Sequence, residues 1–394
     1  KNYVDFGPVN TVVSSNFIDK VRFRASAQTT ANLSPHLFLK GYAAYGVRDK
    51  KWKYEGEVEY SFLKKQYSPE EFPRNSIAIS TRYDVMAPSD AMLPTDKDNV
   101  FTSLKTQTID QMSYFRQYNI RYVYEFDNHF GITAQLRHIT QNPTGTLFYR
   151  TLGGQMVPEL TQSEATLSLR YAPGEKVVVT KQRRHPVNHN YPIYTLMHTT
   201  GFKDVLGGDY ASNYTELSVT KRFWLNSYGR IDIYGRAGAQ WNRVPFPLLI
   251  TPAANNSYII QRSMFNMINN MEFMNDRFVS LDVQWDLSGK LFNRIPLLKH
   301  LKWREVIGFK TLYGTLTDKN NPFKQGSQSD LFEFPSRNGQ PTSFVMGDTP
   351  YMELNVGIHN IFKILRVDYV RRLNYLNAPN AKKNGVRFVL QFDF

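Results

Sequence analysis

The chain has 394 residues, 41% hydrophobic and 14% aromatic, and its 48 Lys and Arg against 34 Asp and Glu leave a net charge of +14. It has no cysteine, which excludes disulfides, thiolate metal sites and thiol nucleophiles. No run of apolar residues is long enough for a membrane-spanning helix, while the length allows either two or three soluble domains or one barrel of medium size. The positive balance by itself suggests nucleic acid or an anionic surface. The basic residues are spread along the chain, however, with no nucleic-acid motif among them, so nucleic acid is not an expected partner. A mean hydropathy of −0.45 does not exclude a membrane, because barrel strands are apolar only at every second position, and abundant Tyr and Phe suit their interfacial girdles. The amino terminus, Lys1-Asn2-Tyr3, lacks the basic and apolar regions of a signal peptide, so a mature or excised piece is expected.

In chain order, period-two alternation predicts strands over Tyr3 to Ser14, Asp19 to Thr30, His36 to Gly46, Lys51 to Phe62 and Arg74 to Val85. The middle of the chain gives Arg116 to Asn128, Phe130 to Gln141, Thr161 to Ala172, Tyr191 to Thr200, Asn213 to Leu225 and Tyr228 to Gln240. Asp276 to Leu287, His300 to Gly314, Thr349 to Ile358, Lys363 to Leu373 and a closing strand, Gly385 to Phe394, complete the set. That makes about sixteen, an even number as single-chain bacterial barrels require, with no convincing long amphipathic helix.

The gaps between strands are sorted. The long ones Met86 to Phe115, Asn142 to Leu160, Trp241 to Asn275 and Thr315 to Asp348 are all odd-numbered. Ala31 to Pro35, His129, Asn226 to Ser227 and His359 to Phe362, all even-numbered, are short. Long extracellular loops on one rim and tight periplasmic turns on the other predict this parity. The exception is Pro173 to Asn190, a long even-numbered gap carrying Lys181-Gln182-Arg183-Arg184. Within strands, Val279, Leu281, Val283 and Trp285 oppose Ser280, Asp282, Gln284 and Asp286. In the last strand Val386, Phe388, Leu390, Phe392 and Phe394 share one face. A polar face charged with both signs suits a wet lumen. Lys20, Arg22 and Arg24 on the second strand and Glu55, Glu57 and Glu59 on the fourth are two such sets. They either pair with each other across the lumen or stand as a solvated wall. The fold class read from these observations is all-β: one transmembrane antiparallel up-and-down barrel over residues 1–394, with long extracellular loops.

Tyr214-Thr-Glu-Leu-Ser-Val-Thr-Lys-Arg-Phe223, Arg236-Ala-Gly238 and Asp276-Arg-Phe-Val-Ser-Leu-Asp-Val-Gln-Trp285, split by a long loop, resemble the surface-antigen barrel superfamily that includes BamA and TamA. Strings along nearly the whole chain, among them Gly46-Val-Arg-Asp-Lys-Lys-Trp-Lys-Tyr54, Val244-Pro-Phe-Pro-Leu-Leu249 and Gly357-Ile-His-Asn-Ile-Phe-Lys-Ile-Leu-Arg-Val-Asp-Tyr369, resemble an uncharacterised outer-membrane barrel family. That family is common in Bacteroidota and is usually fused to a carboxypeptidase-regulatory-like domain, which is not expected within residues 1–394. The superfamily's sixth loop carries an Arg-Gly-aromatic motif that tucks into the lumen. The resemblance therefore implies that Arg262, in Gln261-Arg-Ser-Met-Phe265, is a lumenal anchor with Asp282 its acceptor; the glycine is missing, and an ordinary exposed loop arginine is the alternative. The Asn-, Met- and Phe-rich composition of the loop favours packing inside the barrel.

Pro8 and Phe394 mark the expected seam between first and last strands. Proline has no N–H to donate there, and BamA-like proteins are thought to open sideways at this place; a proline just before the strand proper, or facing away from the seam, is the alternative. His185, His189 and His198 lack metal-ligand spacing. Ser89, Asp90, Asp96 and Asp98 form no nucleophile pattern and read as solvated loop residues. No catalytic, cofactor or metal site is therefore expected, and the chain is not read as an enzyme. The resemblance implies a part in outer-membrane protein or lipoprotein assembly or export, with outer-membrane lipids and other envelope proteins as partners. A structural anchor or docking subunit, or a passive pore, is the alternative.

Overall fold

Alternation is what turns these segments into a wall. Successive side chains of an extended strand leave on opposite sides, so a segment that is apolar at every second place has one face for lipid and one for the interior. The computed structural model describes residues 2–92, 96–179, 184–187, 190–261 and 263–390. Among the described residues the main sheet has seventeen segments. Val4–Phe6 and Val13–Ser14 both pair antiparallel with Arg22–Thr29 and are the halves of one broken strand, β1. Then follow β2 (Arg22–Thr29), β3 (Leu37–Gly46), β4 (Trp52–Ser61), β5 (Asn75–Met86), β6 (Gln111–Glu125), β7 (Phe130–Gly145) and β8 (Leu160–Tyr171). The second half comprises β9 (Ile193–Phe202), β10 (Ser212–Trp224), β11 (Arg230–Gln240), β12 (Arg277–Asp286), β13 (Arg304–Thr315), β14 (Tyr351–Ile361), β15 (Leu365–Arg372) and β16 (Asn384–Leu390). Each strand pairs antiparallel with the next in sequence. This is the up-and-down barrel wall that the alternation predicts.

The connections sort by parity as well. Segments 87–110, 146–159, 241–276 and 316–350 share one rim. The opposite rim carries the short turns 126–129, 225–229 and 362–364, together with 172–192 and 287–303. In the long even-numbered gap, Val177–Val179 and Arg184–Pro186 pair as a ribbon; Lys181, Gln182, Arg183 and His189 lie outside the described residues. Segment 287–303 holds the one α-helix among the described residues, α1 (Pro296–Leu301), so β13 starts at Arg304 and not at His300.

Three local differences from the predicted elements have backbone causes. Pro8 opens a 3-10 turn over Val9–Thr11, closed by Thr11 N–H donating to the Pro8 carbonyl at 3.0 Å, and this splits β1. Lys20 adopts φ +63°, left-handed backbone that a strand does not tolerate, so β2 begins at Arg22. Lys302, at φ +55°, ends α1 in the same way.

The two charged sets do not pair with each other. Arg22 lies against Asp84 at 2.7 Å and Asp98 at 3.0 Å, and Arg24 against Asp96 at 2.7 Å, so Arg22 holds carboxylates of β5 and of the 87–110 loop and Arg24 holds carboxylates of the loop. Glu57 and Glu59 pair with Arg121 and Arg74 at 3.2 and 2.8 Å, and Glu55 faces Arg82 at 3.6 Å. Glu55 stands directly opposite Arg82 on the neighbouring strand, whereas Glu57–Arg121 passes over β5 and Arg22–Asp84 passes over β3 and β4, so inward charges are paired across the interior as well as along the ladder.

Candidate functional site

The 241–276 loop fills the lumen at the long-loop rim. Val244, Phe246, Leu249, Met271 and Met274 pack with Tyr149 and Phe332 of the neighbouring long loops. Deeper, Ile250, Phe265, Ile268 and Phe273 pack against Phe278, Leu312 and Tyr351 of the wall. Each buried side chain of this size contributes about 1.5–3 kcal/mol relative to exposure, so an apolar loop folds inward and not into water. The asparagines satisfy the irregular backbone: Asn255 Nδ2 donates to the Asn266 side chain at 2.9 Å and to the Ile259 carbonyl at 3.0 Å.

Four charged side chains of the wall grip the loop. Arg372 of β15 meets Glu272 through two parallel bonds of 2.6 and 3.1 Å, and also donates to the Met267 carbonyl at 3.2 Å. Both side chains are fully buried, with Arg372 lying over the Tyr351 ring at 5.1 Å. Glu353 of β14 accepts the backbone N–H groups of Asn266 and Met267 at 2.9 and 3.0 Å and the Tyr351 hydroxyl at 2.9 Å. Arg387 of β16 donates to the Asn266 carbonyl at 2.6 Å, and Lys310 of β13 to the Met264 carbonyl at 2.6 Å. Charge-assisted bonds to backbone groups fix a loop that has little secondary structure of its own.

The same loop reaches the seam. Among the described residues no ladder joins β1 to β16. Instead Phe388 of β16 donates its N–H to the Tyr258 carbonyl and accepts from Ile260 N–H, each at 2.8 Å, so Tyr258–Ile260 lies as a parallel strap on the last strand's edge. The strap's other side meets the 87–110 loop: Tyr258 N–H donates to the Leu104 carbonyl at 2.9 Å, and Thr106 N–H to Asn256 at 2.8 Å. That loop in turn reaches β1's broken middle through Val100 N–H and the Asn10 carbonyl at 2.7 Å. Two loop segments therefore bridge the gap between first and last strands. Beside it, Phe6 and Val9 are 83% and 87% exposed.

The structure places the predicted site residues as follows. Asp282 faces inward and pairs with Lys310 at 3.1 Å, directly opposite on β13, so it supports a residue that holds the loop. Arg262 and Phe394 lie outside the described residues. Pro8 stands at the break in β1 and caps the turn there. Arg372, Glu353, Arg387 and Glu272 were not singled out by sequence reasoning. One signal pointed to Glu272: within 251–275 it is the lone carboxylate, in a loop of amides, methionines and aromatics.

Residues 1–323 match the family described as "Family of unknown function (DUF5686) C-terminal domain". Among curated proteins no sequence matches the chain. Among solved structures the chain is similar to BamA from Haemophilus ducreyi lacking POTRA domains 1-3, with a TM-score of 0.59 and 9% identity over 98% of this chain and 70% of that one. It is also similar to CdiB from Acinetobacter baumannii, with a TM-score of 0.47 and 10% identity over 98% of this chain and 57% of that one. The BamA likeness carries the fold alone, an antiparallel β-barrel.

Proposed function

We propose that this chain, which belongs to the family of unknown function DUF5686 as its C-terminal domain, helps other outer-membrane proteins or lipoproteins to fold, insert or reach the surface, without covalent chemistry. One observation supports this most: among the described residues the edge of β16 is bonded to a short strap and not to β1. A strand edge is a row of donors and acceptors that another strand can pair with, and a client segment adds by the same bonds the strap makes. The resemblance to BamA-like proteins, thought to open sideways at this seam, agrees with it. In this reading the barrel sits in a Gram-negative outer membrane with its long loops outside and its short turns in the periplasm. Its partners are outer-membrane lipids and other envelope proteins, and neither nucleic acid nor a cofactor takes part. Depleting the protein is expected to lower outer-membrane protein assembly or surface lipoprotein display, and a photo-crosslinker at Phe6 to capture nascent barrel proteins. Unchanged assembly and display on depletion would remove the proposal.

A second reading is a barrel that anchors a periplasmic module or docks a partner complex, in keeping with the regulatory-like fusion usual in the Bacteroidota family it resembles. The filled lumen favours it, since an anchor needs no passage. Isolation of the native protein with no stable partner counts against this reading.

A further inference from the structure

We infer that segment 287–303, at the short-turn rim, is an interfacial anchor that binds anionic glycerophospholipids of the leaflet at that rim. The inference rests on the barrel crossing a membrane and holds whether or not it assists assembly.

The segment is apolar and basic at once. Leu291, Ile295, Leu297 and Leu301 are exposed, Leu297 at 74%, and none of the described residues covers them. Beside α1, Asn360 donates to the Lys302 carbonyl at 2.7 Å, which brings in the β14–β15 turn and its Phe362, 85% exposed. Water is a poor solvent for such a patch. Lipid is its natural cover because the patch continues the wall's apolar face: on β12, Val279 and Leu281 are exposed outward and Trp285 is half-buried on the same face.

Aromatic residues mark the depth. Of the chain's five tryptophans, Trp224, Trp285 and Trp303 lie in this corner of the rim. Trp285 Nε1 donates to the Tyr228 carbonyl at 2.8 Å, and Lys290 Nζ stands 4.2 Å from the Tyr228 ring centre. Tryptophan and tyrosine collect at the headgroup level, which puts α1 in the interface and not beyond it.

Charge selects the lipid. Residues 287–303 include Lys290, Arg294, Lys299, His300 and Lys302 and no Asp or Glu. None of these four Lys and Arg residues has an acidic partner among the described residues. The nearby carboxylates are engaged elsewhere: Asp286 lies 3.2 Å from His359 and 3.3 Å from Arg230, and Glu305 accepts from Phe292 N–H. Cations without acidic partners among the described residues, set over an apolar face, match anionic headgroups above acyl chains.

The absence of native cysteine makes the test direct. Leu297→Cys, carrying an environment-sensitive fluorophore, is placed in nanodiscs of phosphatidylcholine doped with nitroxide-headgroup lipid, either phosphatidylglycerol or phosphatidylcholine. The label should be shielded from iodide and quenched about fivefold more by the phosphatidylglycerol probe, the ratio that roughly one cation's attraction to an anionic surface provides. A label at Leu33→Cys, on the same rim in a turn whose residues 30–36 include no Lys or Arg, should show a preference well below that at Leu297. Lys290→Glu, Arg294→Glu, Lys299→Glu and Lys302→Glu together should abolish the preference at Leu297 while heat-modifiable migration shows an intact barrel. Equal quenching by both probes in the parent protein would overturn the inference, as would iodide access equal to that in detergent, or shielding that appears only with added periplasmic protein.

Discussion

Replacing Arg372 with Met tests whether the loop is held by charge. Arg372 and Glu272 are both buried and share two bonds, so the substitution leaves a carboxylate in a dry site facing a thioether. Breaking a buried pair from one side costs about 3–5 kcal/mol, whereas replacing both partners with apolar groups of similar volume is often neutral. If that cost falls on loop docking, the undocked population rises by a factor of about a hundred or more, at roughly 1.4 kcal/mol per decade. Thermolysin reports it, because Phe265, Ile268 and Phe273 are buried in the docked loop and become cleavable on release. When reclosing outpaces cleavage, the rate follows the open population. Arg372→Met should therefore be cut within 241–276 about a hundredfold faster than the parent, and Arg372→Met with Glu272→Met should recover most of the protection. A single variant cut within threefold of the parent, or a double variant no better than the single one, would refute the reasoning.

Further outcomes follow from the same geometry. Lys310→Met should accelerate loop cleavage less than Arg372→Met, because the Asp282 it abandons is part-exposed and retains water; the same thermolysin rates check it. Purified barrel in planar bilayers should give no steady conductance, and Arg372→Met should give intermittent openings. Cysteines at Ile259 and Phe388, oxidised to a bond, should lock the strap on β16 and stop the proposed assembly activity in cells while leaving surface exposure of the long loops intact; unchanged outer-membrane protein assembly under oxidation would count against the seam. Asp98, in the 87–110 loop, is buried, which works to raise its pKa, but Lys97 and Arg22 outweigh this and hold it below the ordinary aspartate range. A depressed carboxylate stabilises above its unfolded pKa, about 3.9, and that contribution is lost only as pH falls through the lower folded value. Pepsin should thus spare the loop near pH 4 and cut it increasingly at lower pH, whereas Asp98→Asn should be cut already near pH 4.

The wall was legible because barrel strands obey two local rules, alternation and the sorting of loop lengths. Val279, Leu281, Val283 and Trp285 opposing Ser280, Asp282, Gln284 and Asp286 is enough to assign both faces of β12. Boundaries were less legible where one residue's backbone decides them, as at Lys20 and Lys302. The inward packing of the long loop was readable from its Asn, Met and Phe content, but its tethers were not. Arg372 and Glu272 are a hundred residues apart, and in sequence Arg372 looks like any other inward cation of a wet wall. Pairing across a lumen depends on which strands curve to face each other, and no local pattern encodes that.

Segment 241–276 blocks two exits at once. Its apolar body stops the axial route through the lumen, and Tyr258–Ile260, a few residues from the gripped stretch at Met264 to Met267, stoppers the sideways one. Because a single polypeptide does both, the two routes are mechanically interlocked: a pull that peels Tyr258–Ile260 off the last strand also tugs at the Lys310 and Glu353 attachments a few residues on. Whatever unlatches this barrel laterally works against the same clasp that keeps its bore shut.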